Sequence, residues 1–391
     1  MTAAQADPND ATVGQTAAAA IDVESDGSGG ATIDRRGGQG QGGAGAGAGR
    51  GEFDLIRRFF DRGPVRDALL GIGDDCALLA PRDPRSVLAV STDLLLEGRH
   101  FAAGVDPVAI GHKSLAVNLS DLAAIGALPR AFTLALALPQ YDEAWLSGFC
   151  AGLFALADRH RCELIGGDTT RGPRTICITV FGEVPAATAL RRDGAQPGDD
   201  LWVSGTLGAA ARAVEERARA VGEHACAVEE RARVVERHAH VSAGPAAPSD
   251  PAGAARLDYP QPRIELGLAL RHLARSAIDL SDGLLGDLAH ITERSRVGAE
   301  VDWPSVPADP CLGDLPGNEQ RRLALAGGDD YELLFSAAPE NRTAIAAIGA
   351  RLALPLTRIG RIVDGSTVRV LDARGRPLPM TIAGYDHFGT G

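Results

Sequence analysis

The sequence has few aromatic residues and almost no lysine. Phe, Trp and Tyr together make up 4% of the 391 residues, which argues against the aromatic platforms on which single-stranded nucleic acids stack. Lys113 is the only lysine, and a histidine precedes it in "IGHKS". The Gly-Lys-Ser/Thr core of a Walker A loop is therefore absent, which excludes a P-loop. A Schiff-base enzyme would also depend on Lys113, whose setting does not favour that role.

Long apolar runs, paired cysteines and an excess of positive charge are missing as well. Without an 18-residue apolar run or an N-terminal signal pattern, we expect a soluble, cytosolic protein. The six cysteines contain no CxxC pair, which favours reduced, buried thiols over a zinc site or a disulfide framework. A net charge of −12 disfavours nucleic acid and anionic membranes as partners. If the substrates are anions, metal ions must mediate their binding to this acidic protein.

A low-complexity tail and a first domain account for the N-terminal half. Residues 1–51 are rich in Ala, Gly, Asp and Ser, a composition typical of a disordered tail. Strand-like and helical stretches then alternate, at 86–93, 106–127, 131–139, 142–160 and 175–184. This alternation predicts an α/β-type domain over residues 52–185.

A second domain is predicted over residues 194–388. "ARAVEERARAV" recurs fourteen residues later as "ACAVEERARVV", and its charge spacing predicts a solvated amphipathic helix. We interpret residues 209–257 as an inserted, peripheral helix and loop. The remaining patterns are strand, acidic turn and helix at 276–295, helix, glycine turn and strand at 321–337, and a hairpin at 367–378.

Aspartates recur where apolar segments give way to turns. They stand in "GIGDDC", "VSTDLL", "VNLSDLAA", "LIGGDTTRG", "IDLSDGLL" and "LAGGDDYEL". Each one alone fits the preference of Asp for turns and helix N-caps. If the segments converge, however, their partly buried carboxylates would repel one another strongly without cations.

The expected cation is Mg²⁺. Oxygen ligands with nearby hydroxyls select Mg²⁺ or Ca²⁺, and the Ca²⁺-loop pattern D-x-D-x-D-G is absent. Mg²⁺ prefers one or two carboxylates together with substrate phosphates, and glycine-flanked turns offer N–H groups to those phosphates. Asp279 and Asp282 bracket Ser281 before a predicted helix, whose N-terminus attracts phosphate. The residues thus predict a Mg²⁺–phosphate enzyme without a P-loop.

In this order, the motifs resemble those of the thiamine-monophosphate kinases, a family of the aminoimidazole-ribonucleotide-synthetase-like superfamily. The resemblance covers nearly all of 51–388 except 209–257. The matching segments are "GEFDLI", "GIGDDCALL", "VSTDLLLEGRHF", "KSLAVNLSDLAAIGA", "LIGGDTTRG", "AIDLSDGL", "GGDDYELLF" and "GYDHF".

The resemblance implies an α+β or α/β fold of two domains. The N-terminal sheet domain would bind ATP and Mg²⁺ and pair in a homodimer, and a C-terminal α/β domain would follow. The implied reaction is direct in-line transfer of the γ-phosphate of ATP to thiamine monophosphate, assisted by several Mg²⁺ ions. The acceptor oxygen is already anionic, so no covalent nucleophile or strong base is expected.

Individual roles are also implied by the resemblance. The implied Mg²⁺ ligands are Asp75, Ser91, Thr92, Asp93, Asp121, Asp168, Asp279 and Asp282. ATP would contact Gly167, Asp168, Arg192 and Ser281, and thiamine monophosphate would contact His100, Asp329 and Tyr385. Two positions depart from the family pattern: Asp329 stands where Glu is usual, and Tyr259 replaces the first Arg of an Arg-Pro-x-Pro-Arg turn.

Two alternatives remain open. The first is another enzyme of the superfamily, such as a selenophosphate or aminoimidazole-ribonucleotide synthetase. A selenophosphate synthetase is expected to carry a reactive Cys and Lys in its N-terminal glycine-rich segment, and residues 1–51 contain neither. The second is a non-catalytic paralogue that binds thiamine phosphates, or a partner through the helix at 211–240. Retention of the aspartates argues against it.

Overall fold

Two β-sheets form the frame of the described part of the protein. The computed structural model describes residues 52–72, 76–80, 82–220 and 251–379. Within these ranges, the first sheet has four strands and the second has six. The predicted tail, Asp75 and Tyr385 lie outside the described residues.

The first sheet has the strand order β1-β4-β2-β3. Its strands are β1 (Ser86–Leu96), β2 (Leu128–Leu138), β3 (Glu163–Arg171) and β4 (Thr175–Pro185). Strands β2 and β3 run parallel, and the other neighbours are antiparallel. A short helix α1 (Glu52–Leu55) and a π-helical turn (Ile56–Phe60) precede the sheet. Strands β1 and β3 are therefore its two edges.

Two long helices cover one face of the first sheet. They are α2 (Pro107–Ala124) and α3 (Glu143–His160). Each begins at an aspartate whose side chain accepts a backbone N–H at 3.0 Å, Asp106 from Val108 and Asp142 from Trp145. These N-caps satisfy donors that a helix start leaves unpaired. A Cβ at Gly152 would lie 1.9 Å from the Val108 carbonyl oxygen, so glycine permits the close approach of the two helices.

The opposite face of the first sheet, which we call the open face, is only partly covered within the described residues: Val65, Ala77 and Leu79 pack against Phe181 at one part of it. Ile176, Ile178 and Val180 of β4 point to the helix side and are fully buried. On the other face, Leu88 and Val90 of β1 are 53% and 55% exposed. An apolar, half-exposed sheet face of this kind marks an interaction surface.

The second sheet has the order β10-β7-β9-β5-β8-β6. Its strands are β5 (Asp200–Ser204), β6 (Ala274–Asp279), β7 (Gly298–Asp302), β8 (Leu333–Ala337), β9 (Leu356–Val363) and β10 (Val368–Leu371). Only the β7–β10 pair is parallel. The associated helices are α4 (described over 209–220), α5 (Pro251–Asp258), α6 (Ile264–Leu270), α7 (Leu284–Ser295), α8 (Gly317–Ala326) and α9 (Arg342–Leu352). None of the described helices is long and apolar enough to cross a membrane.

The structure differs from the sequence expectations at three places. Strand β1 continues to Leu96, so Asp93 lies within a strand rather than at its end. The segment "LIGGDTTRG" is strand β3 rather than a turn, because pairing with β2 outweighs its low strand propensity. The 209–257 region is neither peripheral nor a loop at its end: Ala210 and Ala213 of α4 are buried against Leu257, and Leu257 belongs to helix α5, which begins at Pro251. The rest of the repeat lies outside the described residues.

A buried carboxylate joins several elements of the second sheet. Glu332 is fully buried and accepts hydrogen bonds from Ser204 (2.5 Å), Arg256 (2.8 Å) and Arg263 (2.7 Å). Its partners belong to β5, α5 and the residue that precedes α6. A buried charge is tolerated only when it is paired and hydrogen-bonded, so these elements are held in one arrangement around Glu332.

We predict that Glu332→Gln lowers the free energy of unfolding by about 3 kcal/mol, because it leaves two partly buried arginines without their counter-charge. Urea unfolding followed by tryptophan fluorescence measures the change. The matched control is Glu293→Gln on the exposed side of α7, which should change stability by less than about 0.5 kcal/mol. Equal effects of the two substitutions would contradict a special role for Glu332.

Candidate active site

A cleft of about 1500 Å³ lies between elements of the two sheets, along one face of α2. Ile110, Lys113, Val117 and Asp121 line it, and their spacing of three and four residues places them on the same face of the helix. The end of β1, helix α4 and the turns at 279–282 and 327–331 also line it, together with residues of the loop after β1, of α5 and of α8. Segments that are distant in sequence thus meet at one surface.

Three aspartates from different elements meet at one end of the cleft, which we call the acidic end. They are Asp93 of β1, Asp121 of α2 and Asp279 at the end of β6. The Ser91 hydroxyl donates to Asp121 Oδ2 at 2.5 Å. The buried Asn118 carboxamide oxygen accepts the Asp93 N–H at 3.2 Å, which ties β1 to α2.

The acidic end is electrostatically unfavourable by itself. Burial raises the pKa of Asp93 to about 7, and the Asp121 charge adds to that shift. Burial followed by the charge of Asp121 raises the pKa of Asp279 to about 8. The pKa of Asp121 is also raised by burial, against the Ser91 hydrogen bond and the positive charge of Arg192. The carboxylates therefore resist ionising together unless a cation is present.

Two turns are bound together beside the acidic end. The Asp329 N–H donates to the Ser281 carbonyl at 2.9 Å, and the Tyr331 N–H donates to the Leu280 carbonyl at 2.8 Å. Gly283 has φ +104°, and a Cβ there would lie 2.8 Å from the Ala326 backbone. Glycine is required at this position. Gly283 lets Ser281 and Asp282 lie directly before the N-terminus of α7.

A second charged group of the cleft is an ion pair on the neighbouring part of α2, which we call the lysine end. Lys113 Nζ lies 3.1 Å from Asp329 Oδ1. The Tyr331 hydroxyl donates to the same carboxylate oxygen, also at 3.1 Å. Lys113 precedes Asp121 by eight residues of α2, which corresponds to about 12 Å along the helix axis.

Comparison with known proteins places this arrangement in a family. The family model described as "AIR synthase related protein, N-terminal domain" matches residues 73–184, and the corresponding C-terminal domain matches residues 196–372. The thiamine-monophosphate kinase of Escherichia coli (strain K12) is 43% identical over 353 residues, which cover 87% of this chain and 98% of that protein. The chain belongs to the thiamine-monophosphate kinase family. The predicted resemblance is confirmed.

Solved structures of thiamine-monophosphate kinases have the same fold. The crystal structure of the Stenotrophomonas maltophilia K279a enzyme is similar at a TM-score of 0.68 and 46% identity, over 83% of this chain and 96% of that one. A structure of AaThiL complexed with AMPPCP and TMP is similar at a TM-score of 0.60 and 27% identity, over 86% and 97% of the two chains. The predicted fold class, with its two α/β-type domains, is confirmed.

The cleft of this family member contains most of the residues that the sequence singled out. They are Thr92, Asp93, His100, Asp121, Asp279, Ser281, Asp282 and Asp329. Ser91 lies beside them through its bond to Asp121. His100 is held close to β1, because its Nδ1 accepts the Leu96 N–H at 3.0 Å.

The cleft lining does not include Gly167, Asp168 and Arg192. Arg192 nevertheless acts on the acidic end, since its charge opposes the raised pKa of Asp121. Gly167 and Asp168 lie on β3, at the far edge of the first sheet. The roles expected for Asp75 and Tyr385 concern residues outside the described ranges.

Three residues of the cleft region were missed by sequence reasoning. Lys113 and Tyr331 form the lysine end, and Asp287 in the first turn of α7 accepts the Asp282 N–H at 3.1 Å. Burial and the charge of Asp282 raise the pKa of Asp287 to about 7. Helical spacing was the available signal for Lys113, because it shares a face of α2 with Asp121.

The donor set at the acidic end fits Mg²⁺. It consists of carboxylates and hydroxyls, the oxygen ligands that Mg²⁺ prefers, and a cation would favour the ionised form of the carboxylates whose pKa is raised. Among the described residues, no three acidic, histidine or cysteine side chains surround one point closely enough to hold an ion alone. Mg²⁺ commonly keeps several waters and takes phosphate oxygens as ligands besides one or two carboxylates.

We predict that the metal-free protein loses stability as the pH rises from about 4 to about 8. The folded state retains protons on Asp93 and Asp279 that the unfolded chain releases near pH 4, so the free energy of unfolding falls with increasing pH. Thermal melts in EDTA measure this slope, and added Mg²⁺ should stabilise more at pH 8 than at pH 5.

Two variants test the source of this slope. Asp279→Asn should raise the metal-free stability at pH 8 by roughly 1–2 kcal/mol and flatten the pH dependence. Asp364→Asn, at an exposed aspartate far from the cleft in sequence, should behave like the parent protein. A pH slope that Asp279→Asn leaves unchanged would contradict the assignment.

Proposed function

We propose that this protein transfers the γ-phosphate of ATP to thiamine monophosphate, forming thiamine diphosphate and ADP. The proposal rests on the 43% sequence identity to the thiamine-monophosphate kinase of Escherichia coli, which extends over 87% of this chain. The cleft supports it, since it contains carboxylates and hydroxyls suited to Mg²⁺ as well as a paired carboxylate.

The main obstacle to this reaction is the repulsion between two phosphate groups. Two unit charges of like sign at 4 Å repel by about 4 kcal/mol at an effective dielectric constant of 20. Bound Mg²⁺ supplies positive charge to the phosphates and alignment for in-line transfer. Several Mg²⁺ ions would be held at the acidic end by Ser91, Asp93, Asp121, Asp279 and Asp282. Asp75, Thr92 and Asp168 complete the proposed set.

The remaining residues would bind the two substrates. Ser281 at the start of α7 and the Arg192 guanidinium are suited to the triphosphate of ATP, because both offer donors beside the acidic end. His100 and Asp329, together with Tyr385, would contact thiamine monophosphate. The acceptor phosphate would then point toward the acidic end and the thiamine rings toward the lysine end.

We further propose a homodimer formed by the N-terminal domain, residues 52–185. Asp93, Ile178, Leu134 and Gly167 are opposite one another on successive strands, so Asp168 lies about 14 Å from β1, at three strand spacings. By register, Asp168 shares the open face with Leu94, which is 48% exposed. A second copy on this face would bring its Asp168 to the β1 edge of the first.

We expect purified protein with ATP, Mg²⁺ and thiamine monophosphate to form thiamine diphosphate and ADP in equal amounts, as measured by chromatography. Asp121→Asn should lower kcat by about 100-fold or more, because it removes a charged ligand from the phosphoryl-transfer site. Asp364→Asn serves as the control and should retain full turnover. Formation of ADP without thiamine diphosphate would refute the proposed acceptor.

The dimer predicts complementation between two inactive variants. Asp121→Asn and Asp168→Asn subunits should each be inactive alone. Co-expressed, they should recover about a quarter of the parental activity, because each mixed dimer would have one intact site. If Asp168 acts within its own subunit, no mixed dimer has an intact site and activity stays absent.

A further inference from the structure

Lys113 is the one lysine of the chain, and it is buried in the cleft. Its side chain is 7% exposed, and its ammonium group pairs with the Asp329 carboxylate, which is 31% exposed. A buried ammonium group is costly unless it is paired. Nothing in the phosphoryl-transfer role proposed above uses this residue, so its burial at the cleft requires a separate explanation.

The Asp329 carboxylate is held from several directions. Lys113 Nζ and the Tyr331 hydroxyl both contact Oδ1 at 3.1 Å. The Asp329 backbone has φ +66° and is fixed by the hydrogen bond from its N–H to the Ser281 carbonyl. Aspartate tolerates this left-handed conformation better than most residues do. The carboxylate is thus oriented before any ligand arrives.

The two charged groups of the cleft differ in what they bind. The carboxylates at the acidic end attract divalent cations, whereas the Lys113 ammonium neutralises the Asp329 carboxylate that it contacts and so disfavours a divalent cation there. A carboxylate paired in this way still accepts hydrogen bonds from an organic group. Thiamine offers the N–H groups of an aromatic amine, which such a carboxylate binds.

We propose that Lys113 is a positioning residue that holds the Asp329 carboxylate for the thiamine rings, and that it sets the affinity for the acceptor rather than the rate of transfer. This inference rests on the proposed function. It assigns to Lys113 no contact with the reacting phosphates. Its effect is exerted through Asp329, so it should disappear when Asp329 is neutralised.

Steady-state kinetics separate the two roles. Lys113→Met should raise KM for thiamine monophosphate about tenfold or more, the size expected for loss of a charged hydrogen bond, while kcat and KM for ATP change less than about threefold. Lys113→Arg should restore part of the acceptor affinity. The exposed Arg351→Met is the control and should match the parent. A fall in kcat with unchanged acceptor KM, or no change in either, would overturn the proposal.

A double-mutant cycle tests whether Lys113 acts through Asp329. Asp329→Asn should raise the acceptor KM, and adding Lys113→Met should raise it less than twofold further, because the two residues act as one unit. Independent, multiplying effects would refute the coupling. If Lys113→Met does not fold, as judged by circular dichroism, the same cycle is run with Lys113→Arg.

A binding measurement tests the role of Lys113 in the unsubstituted protein and without turnover. Because lysine occurs once, protein expressed with [¹³C]lysine carries a single labelled side chain for NMR. Thiamine monophosphate added without ATP should shift the Lys113 Cε signal, whereas ATP alone should shift it much less. An unchanged signal at a saturating acceptor concentration, established by calorimetry, would overturn the inference.

The outcomes for the two proposals are distinguishable. Parent protein that neither binds thiamine monophosphate nor forms thiamine diphosphate would refute the proposed function. Parent protein that does both, together with a folded Lys113→Met variant of unchanged acceptor affinity, would refute only the role of Lys113.

Discussion

Mutual repulsion of buried carboxylates is the constraint on which the rest of this structure depends. Asp93, Asp121 and Asp279 come from three different elements and lose much of their hydration. Such a group is unstable unless the surrounding fold holds it and a cation compensates for it. Folding therefore provides the energy that assembles the acidic end, and Mg²⁺ with its phosphates would recover that energy on binding. The cost of ionising these carboxylates together is what a bound cation would offset.

The surrounding elements oppose this repulsion through packing and paired charges. Helix α2 is mostly buried and packs closely against α3 on the first sheet, which keeps Asp121 beside β1. On the other side, the Leu280–Tyr331 and Ser281–Asp329 backbone bonds fix the two turns. Glu332 follows directly and secures that segment to Arg256 and Arg263. The buried Glu332 carboxylate, which Arg256 and Arg263 neutralise, thus lies beside the carboxylates of the acidic end, which ionise together only when a cation is bound.

Local patterns were sufficient to predict the helices α2, α3 and α7, most strands and the acidic motifs, but not the helices α5, α6 and α9. The N-caps Asp106 and Asp142 and the strand, turn and helix around Asp279 depend on interactions between near neighbours in sequence. Strand β3 could not be predicted in this way, because its glycine-rich segment becomes a strand only when β2 provides hydrogen bonds. The burial of α4 could not be predicted from local patterns either, because its buried alanines contact Leu257 of α5, which is far away in sequence.

The sequence by itself determined the chemistry of the site: oxygen ligands, no P-loop, one lysine, and motifs whose order indicated the family. Residue types and short-range spacing are properties of the chain, so they can be read without a structure. Only the tertiary structure decided which of these groups meet. It brought Lys113 to Asp329, gathered Asp93, Asp121 and Asp279 in one cleft, and placed Asp168 at the far edge of the sheet. Contacts between distant segments depend on how helices and sheets pack, and packing is a property of the whole fold.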